Sequence, residues 1–254
     1  MSLKLELVNL KEPNSMLRKV YIARLIARCI AFVLVLLLLI FKPAEFEVLN
    51  GFNFFKRFSL LHLLWGVWVI DMLFQLIPAK SFISIGSQKH FKQFFRPLKE
   101  KINKKALKEY IVTTTKSAYL VFILWVVLVG GIGILTHLGI LNNNISFMIS
   151  TAFYVFDLIC VVIWCPFRIM INTRCCTTCR IFNWDHMMMF TPMSFIPGFF
   201  SASLIGIAAV VFIVWELCVL LYPERFWENT NESLRCINCT DKLCNHTVRI
   251  KRYK

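Results

Sequence analysis

Two groups of thiols bring together the residue types best suited to chemistry. Cys175, Cys176 and Cys179 stand in a short basic loop behind a long apolar run, and Cys236, Cys239, Cys244 and His246 stand in the C-terminal tail. Cys176-x-x-Cys179 and Cys236-x-x-Cys239 can each place two sulfurs on one side of a tight turn, and four such sulfurs suffice for tetrahedral zinc or an iron–sulfur cluster. Cys175, Cys244 and His246 are further candidate ligands, and Arg174, Arg180, Arg235 and Lys242 would stabilise thiolates. The same pairs could instead do thiol–disulfide chemistry or be unconnected. Neither loop has the dense cysteine run of a ferredoxin, which favours zinc or one atypical cluster. A cluster near a membrane would suit electron exchange with a quinone or a partner protein. All of this requires both groups on one side of the membrane.

Three carboxylates, Asp71, Asp157 and Glu216, fall inside apolar stretches, where an ionisable group points to function by default. At 100° per residue Trp68, Asp71 and Gln75 share a helix face, as do Ser150, Phe153, Asp157, Cys160 and Trp164. Glu216 lies above a face carrying Ala202 and Ala209. If these faces meet, the acids could handle protons, bind a cation or line a polar pocket; otherwise they serve as interhelical hydrogen-bonding groups. Cys29, Cys160, Cys165 and Cys218 read as small apolar residues within spans. His62 and His137 would both lie near the outer side and could face one another across a haem, but each reads more simply as an interfacial residue. His90 belongs to a basic segment, and His186 reads with the thiols.

The elements that position these groups follow from composition. The chain has 254 residues, 58% of them hydrophobic and 17% charged, with a mean hydropathy of +0.65, more apolar surface than a soluble core could hide. The uncharged stretches are long and continuous, as in helical spans and unlike the alternating segments of a barrel. Spans are expected over about 20–41, 58–78, 118–140, 146–167 and 199–222. Pro43 closes the first, Asn142-Asn143-Asn144 separates the third from the fourth, Gly130, Gly131 and Gly133 allow close contact of the third, and Pro223 closes the last. The first 28 residues resemble a signal-peptide start, but no small-residue cleavage site follows the apolar run, so the first span is read as uncleaved. Arg24 and Arg28 lie one turn apart on it and are expected to snorkel toward the headgroups.

Lys and Arg divide as nineteen on the N-terminal side and ten on the other in a five-span arrangement, which places the N-terminus in the cytoplasm. The tail, residues 223–254, holds seven of the ten and is the exception. The stretch 181–197 is apolar enough to make a short, kinked sixth crossing with a turn at Pro197-Gly198, which would return the tail inside; its Asn183, Asp185, His186 and Pro192 suit a re-entrant segment equally. Between the second and third spans, residues 79–117 carry ten basic side chains. Phe91, Phe94, Phe95, Leu98 and Ile102 recur there at helical spacing, which describes an interfacial helix holding anionic lipid through Lys89, Lys92, Arg96 and Lys99; a solvated linker is the alternative.

No phosphate-binding glycine loop and no His-Glu-x-x-His motif occurs, and nothing points to nucleic acid. The three Asn-x-Ser/Thr triplets of the tail, at Asn231, Asn238 and Asn245, carry little meaning if the tail is inside. The sequence therefore reads as an all-α, polytopic membrane bundle of five or six helices in a bacterial or archaeal plasma membrane. Its function reads first as a metal or thiol redox site on the cytoplasmic face, and otherwise as a small ion- or proton-coupled transporter using the buried acids, or as a lipid-binding scaffold.

Overall fold

A computed structural model describes residues 5–8, 16–77, 87–98, 103–171, 179–235 and 248–251. In chain order it contains β1 (Leu5–Val8), α1 (Met16–Phe41), α2 (Asn53–Lys56), α3 (Leu61–Leu76), α4 (Lys104–His137), α5 (Asn143–Val162), α6 (Phe167–Ile171), α7 (Asp185–Phe190), α8 (Phe199–Leu221) and β2 (Val248–Lys251). Of these, α1, α4, α5 and α8 are long and apolar enough to cross a membrane, and α3 is a shorter apolar helix. The architecture is helical apart from β1 and β2, which pair antiparallel and bring the two ends of the chain together.

Helix limits follow local chemistry. Pro43 cannot continue α1 and opens a 3₁₀ turn. The Asn103 side chain caps α4 by accepting from Lys105 and Ala106 N–H, and Asn142 caps α5 by accepting from Ile145 N–H. Between α4 and α5 the chain reverses through Gly139, whose φ of 74° suits a residue without a Cβ.

Helix α1 packs on α5, α3 on α8, and α7 lies between α5 and α8. The core they share is aromatic: Trp68, Phe147 and Phe200 are fully buried, with Trp68 against Phe147, Tyr154 and Phe190. At one end of the bundle, Asn143 Nδ2 donates to Asn50 Oδ1 at 2.7 Å, and Gly51 pairs with Gly198 through Gly51 N–H to Pro197 O at 2.7 Å and Phe199 N–H to Gly51 O at 2.9 Å. A Cβ on Gly198 would collide with the Leu49 carbonyl, so only glycine permits this approach. At the other end, Arg180 bonds Thr115 near the start of α4, and Tyr110 donates to Phe226 O at 3.4 Å. Residues 185–198 thus run from one end of the bundle to the other, as α7 and a 3₁₀ turn over Thr191–Phe195. The Phe195 ring lies against Gly133 of α4, as expected for one of its three glycines.

Two sequence expectations are corrected. The described part of the basic segment, 87–98, is not a continuous amphipathic helix: it forms 3₁₀ turns at Ser87–His90 and Lys92–Phe94 and then extends to pair with the tail, Pro97 against Asn231. Its apolar groups are used by the bundle, since Phe91 and the buried His90 pack on Trp215. Arg24 and Arg28 do not snorkel outward. Both turn inward, because carboxylates on α3 and α5 offer them partners.

Candidate functional site

The inward arginines begin the site. Arg28 lies twelve residues into α1, roughly 18 Å along its axis at 1.5 Å per residue. Its guanidinium donates to Asp157 Oδ2 at 2.8 Å, to Asp71 Oδ2 at 3.3 Å and to the Tyr154 carbonyl at 2.7 Å, with the Tyr154 ring 3.8 Å beneath it. Arg24 donates to the other oxygen of Asp71 at 3.1 Å, and the Tyr154 hydroxyl approaches Asp71 at 3.5 Å. Arg28 joins α1, α3 and α5 in one buried contact, the arrangement that a charge removed from water requires.

A second polar group lies beside it, between α3 and α7. Gln75, one turn beyond Asp71 on α3, donates to both oxygens of Asp185 at 2.8 and 3.0 Å, and His186 Nδ1 lies 2.8 Å from Asp185 Oδ1. Asp185 and His186 both lie within electrostatic reach of Asp157. His186 Nε2 and Gln75 Oε1 are buried and have no hydrogen-bond partner among the described residues. Arg24, Arg28, Asp71 and Asp157 thus form one ion-paired set, and Asp185 with Gln75 and His186 forms a second group beside it; among the described residues the two together carry one negative charge in excess while the imidazole is neutral.

Glu216 stands apart. It forms a bidentate pair with Arg180, through Nε at 3.0 Å and a second contact from Nη2, and accepts from Trp184 Nε1 at 2.7 Å. Arg180 also donates to Thr115 at 2.6 Å. Every charge here has a partner, and the pair fastens the residues after Cys179 to α4 and α8. The expected meeting of all three acids is corrected accordingly: Asp71 and Asp157 converge on Arg28, and Glu216 is held instead by Arg180 and Trp184.

Beside Asp157 and Asp185 lies a cavity of about 400 Å³, walled by aromatic and methionine side chains such as Phe153, Phe182 and Met189. Cys160, Cys165 and Cys179 also line it. Cys160 is half-buried and Cys165 is buried.

Of the thiol site expected from sequence, Cys179 alone is within the described residues, buried on the cavity wall. Cys175, Cys176, Cys236, Cys239, Cys244 and His246 lie outside them, as does Lys99 of the basic segment. Among the described residues no group of three or more His, Cys, Asp or Glu could hold a metal ion. His62 leaves no nitrogen for a haem: Nδ1 accepts from Ser59 N–H at 3.1 Å and Nε2 donates to Phe54 O at 2.8 Å. Lys92 and Arg96 are exposed and Lys89 is half-buried. Sequence reasoning missed Asp185 and His186 as partners of the acids and assigned His186 to the thiols; the available signal was their position in an apolar stretch that also had to pass through the bundle. No protein-family model matches the chain, and neither a curated protein nor a solved structure shows significant similarity to it.

Proposed function

We propose that this chain is an integral membrane protein that takes up and releases a proton on the cluster formed by Arg24, Arg28, Asp71, Asp157, Asp185 and His186, as a small proton-coupled transporter would. The observation that carries the reading is the charge count. Among the described residues, three carboxylates against two arginines leave one charge that a low-dielectric site does not tolerate, and one proton on His186 or a neighbouring carboxylate brings it to neutrality. His186 Nε2, buried and without a hydrogen-bond partner among the described residues, is the atom at which such a proton can bind. Glu216, locked to Arg180, has a positioning role. In proteoliposomes carrying a pH-sensitive dye, the protein should pass protons along an imposed gradient, and Asp157→Asn and His186→Gln should each lower the rate at least tenfold. Flux equal to that of empty vesicles would refute the proposal.

Six crossings support this reading best: α1, α3, α4, α5, the 185–198 segment and α8, with both termini on one side. The pairing of β1 with β2 and the contact of Gly51 with Gly198 favour it. The distribution of Lys and Arg then favours both termini in the cytoplasm, together with a basic segment whose Lys89, Lys92, Arg96 and Lys99 would meet anionic headgroups.

A second reading keeps the cytoplasmic cysteines as a zinc or iron–sulfur site or a thiol redox site. It is favoured by two contacts on α4: Arg180, next to Cys179, bonds Thr115, and Tyr110, five residues earlier, bonds Phe226 and stacks on Trp227 where the tail begins, so loop and tail approach the same end. Metal content of anaerobically purified protein, compared with a Cys176→Ser, Cys236→Ser variant, tests it. Stoichiometric metal lost in the variant supports the site, and none in either protein removes it.

A further inference from the structure

We propose that Trp68, Ser146 and Ser150 hold a short chain of internal water molecules, and that this chain is the path by which protons reach Asp71 from the end of the bundle marked by Asn50 and Asn143. The path rests on the proton-transport reading; the water site does not. All three side chains are fully buried, and Trp68 Nε1, Ser146 Oγ and Ser150 Oγ have no hydrogen-bond partner among the described residues. A hydroxyl inside a helix ordinarily turns back onto a carbonyl of the preceding turn, as those of Thr114, Thr136 and Thr151 do at 2.9 Å. Ser146 and Ser150 forgo that bond. Polar groups buried at membrane depth must be satisfied inside the protein, and these three belong to one helix pair. An indole N–H can only donate, whereas a serine hydroxyl both donates and accepts. Water fits the set because it can take the indole proton and bridge the hydroxyls.

Spacing puts these groups on one strip. Ser146, Ser150 and Tyr154 follow one another at four-residue intervals on α5, a rise of about 12 Å from first to last at 1.5 Å per residue. Trp68 of α3 covers the strip: its ring lies 5.7 Å from those of Phe147 and Tyr154, the residues that flank Ser150 along this face of α5. One end of the strip begins a turn inside the Asn50–Asn143 contact. The other ends at the Tyr154 hydroxyl, which donates toward Asp71 Oδ2 at 3.5 Å. A proton arriving along the waters passes to the Tyr154 oxygen while the proton already there moves on to Asp71. The tyrosine ends neutral, as it began, and one proton has moved inward.

The test uses the full chain in lipid bilayers with isotope-labelled tryptophan indoles, and solid-state NMR to follow magnetisation passing from water to each indole N–H. The Trp68 signal, assigned through its backbone connections, should receive that magnetisation although the ring is fully buried. Ser150→Val should remove most of the transfer and lower proton flux in proteoliposomes about tenfold. Ser150→Thr, of the same shape but with the hydroxyl kept, should hold both near the wild-type values. No transfer to Trp68 in the wild-type protein overturns the water site and the path with it; this measurement needs no variant, so a valine variant that fails to fold leaves it intact. Transfer accompanied by equal flux in the valine and threonine variants overturns the path. A wild-type protein that passes no protons refutes transport and so the path, and the Trp68 signal, read without any proton gradient, then decides the water site on its own.

Discussion

Arg28 of α1 and Asp157 of α5 meet at 2.8 Å inside the bundle, and the same guanidinium reaches Asp71 of α3 at 3.3 Å. One cation thereby holds three helices in register from a position that ordinary lipid-facing residues of α1, such as Ile26 and Ile30, do not occupy. A buried cation with two carboxylates is stable as a set and unstable in parts, because removing one member leaves the others charged and unpaired.

Replacement of Arg28 by Met should therefore destabilise the protein by about 3–5 kcal/mol. Adding Asp157→Leu to that variant should restore part of the loss, since fewer unpaired charges then remain buried. Thermal unfolding in detergent, followed for both single variants and the double variant, measures the coupling.

Glu216 and Asp157 should separate cleanly in their effects. Glu216→Gln leaves the Arg180 guanidinium without its carboxylate and should loosen the residues after Cys179, read as faster proteolysis at Arg180, while proton flux stays near the wild-type rate. Asp157→Asn should do the reverse. Equal loss of flux in both variants would contradict the separation of the two acids.

His90 should make stability fall in acid. Its ring is buried against Trp215 and Phe226 with neither nitrogen bonded, and burial first, then the Lys89 charge, lowers its pKa to about 3. Above pH 6.5 the histidine is neutral in both folded and unfolded chains. Below it the unfolded chain binds a proton that the folded one refuses, so stability drops by about 1.4 kcal/mol per pH unit toward pH 3. Unfolding measured between pH 7 and 4.5 should show this slope, and His90→Phe should flatten it.

Gly198 and Gly133 should differ in tolerance. A methyl group at Gly198 meets the Leu49 carbonyl, which is backbone and cannot yield, so Gly198→Ala should abolish accumulation of folded protein. At Gly133 the obstacle is the Phe195 ring, a side chain that can turn away. Gly133→Ala should fold with a lower melting temperature, and Phe195→Ala should relieve part of that loss.

Asn231 should act as the clasp between tail and basic segment. Fully buried, it donates to the carbonyls of Lys89 and Arg225 at 3.3 and 2.9 Å and accepts from Arg96 N–H at 3.3 Å. Its amide nitrogen is therefore engaged inside the protein and unsuited to carry a glycan, whatever the surrounding triplet. Asn231→Ala should speed amide hydrogen exchange across residues 89–97 more than elsewhere.

Much of this molecule was legible in its order of residues. The apolar runs predicted the four long helices, Asn142 and Pro43 marked real boundaries, and helical periodicity put Trp68 and Gln75 on a buried face with Asp71 beside them, because the direction of a side chain around its own helix depends only on spacing. Tertiary structure alone decided which charges meet. Arg24 and Arg28 turn inward to Asp71 and Asp157, Asp185 is held by Gln75 and His186, Glu216 is claimed by Arg180, and Phe91 of the basic segment docks on the bundle between short 3₁₀ turns. None of these follows from period, since pairing depends on how each helix is rotated and how deep it sits against its neighbours. That arrangement is set by the packing of Trp68, Phe147 and Phe200 and by the need of every buried charge for a partner.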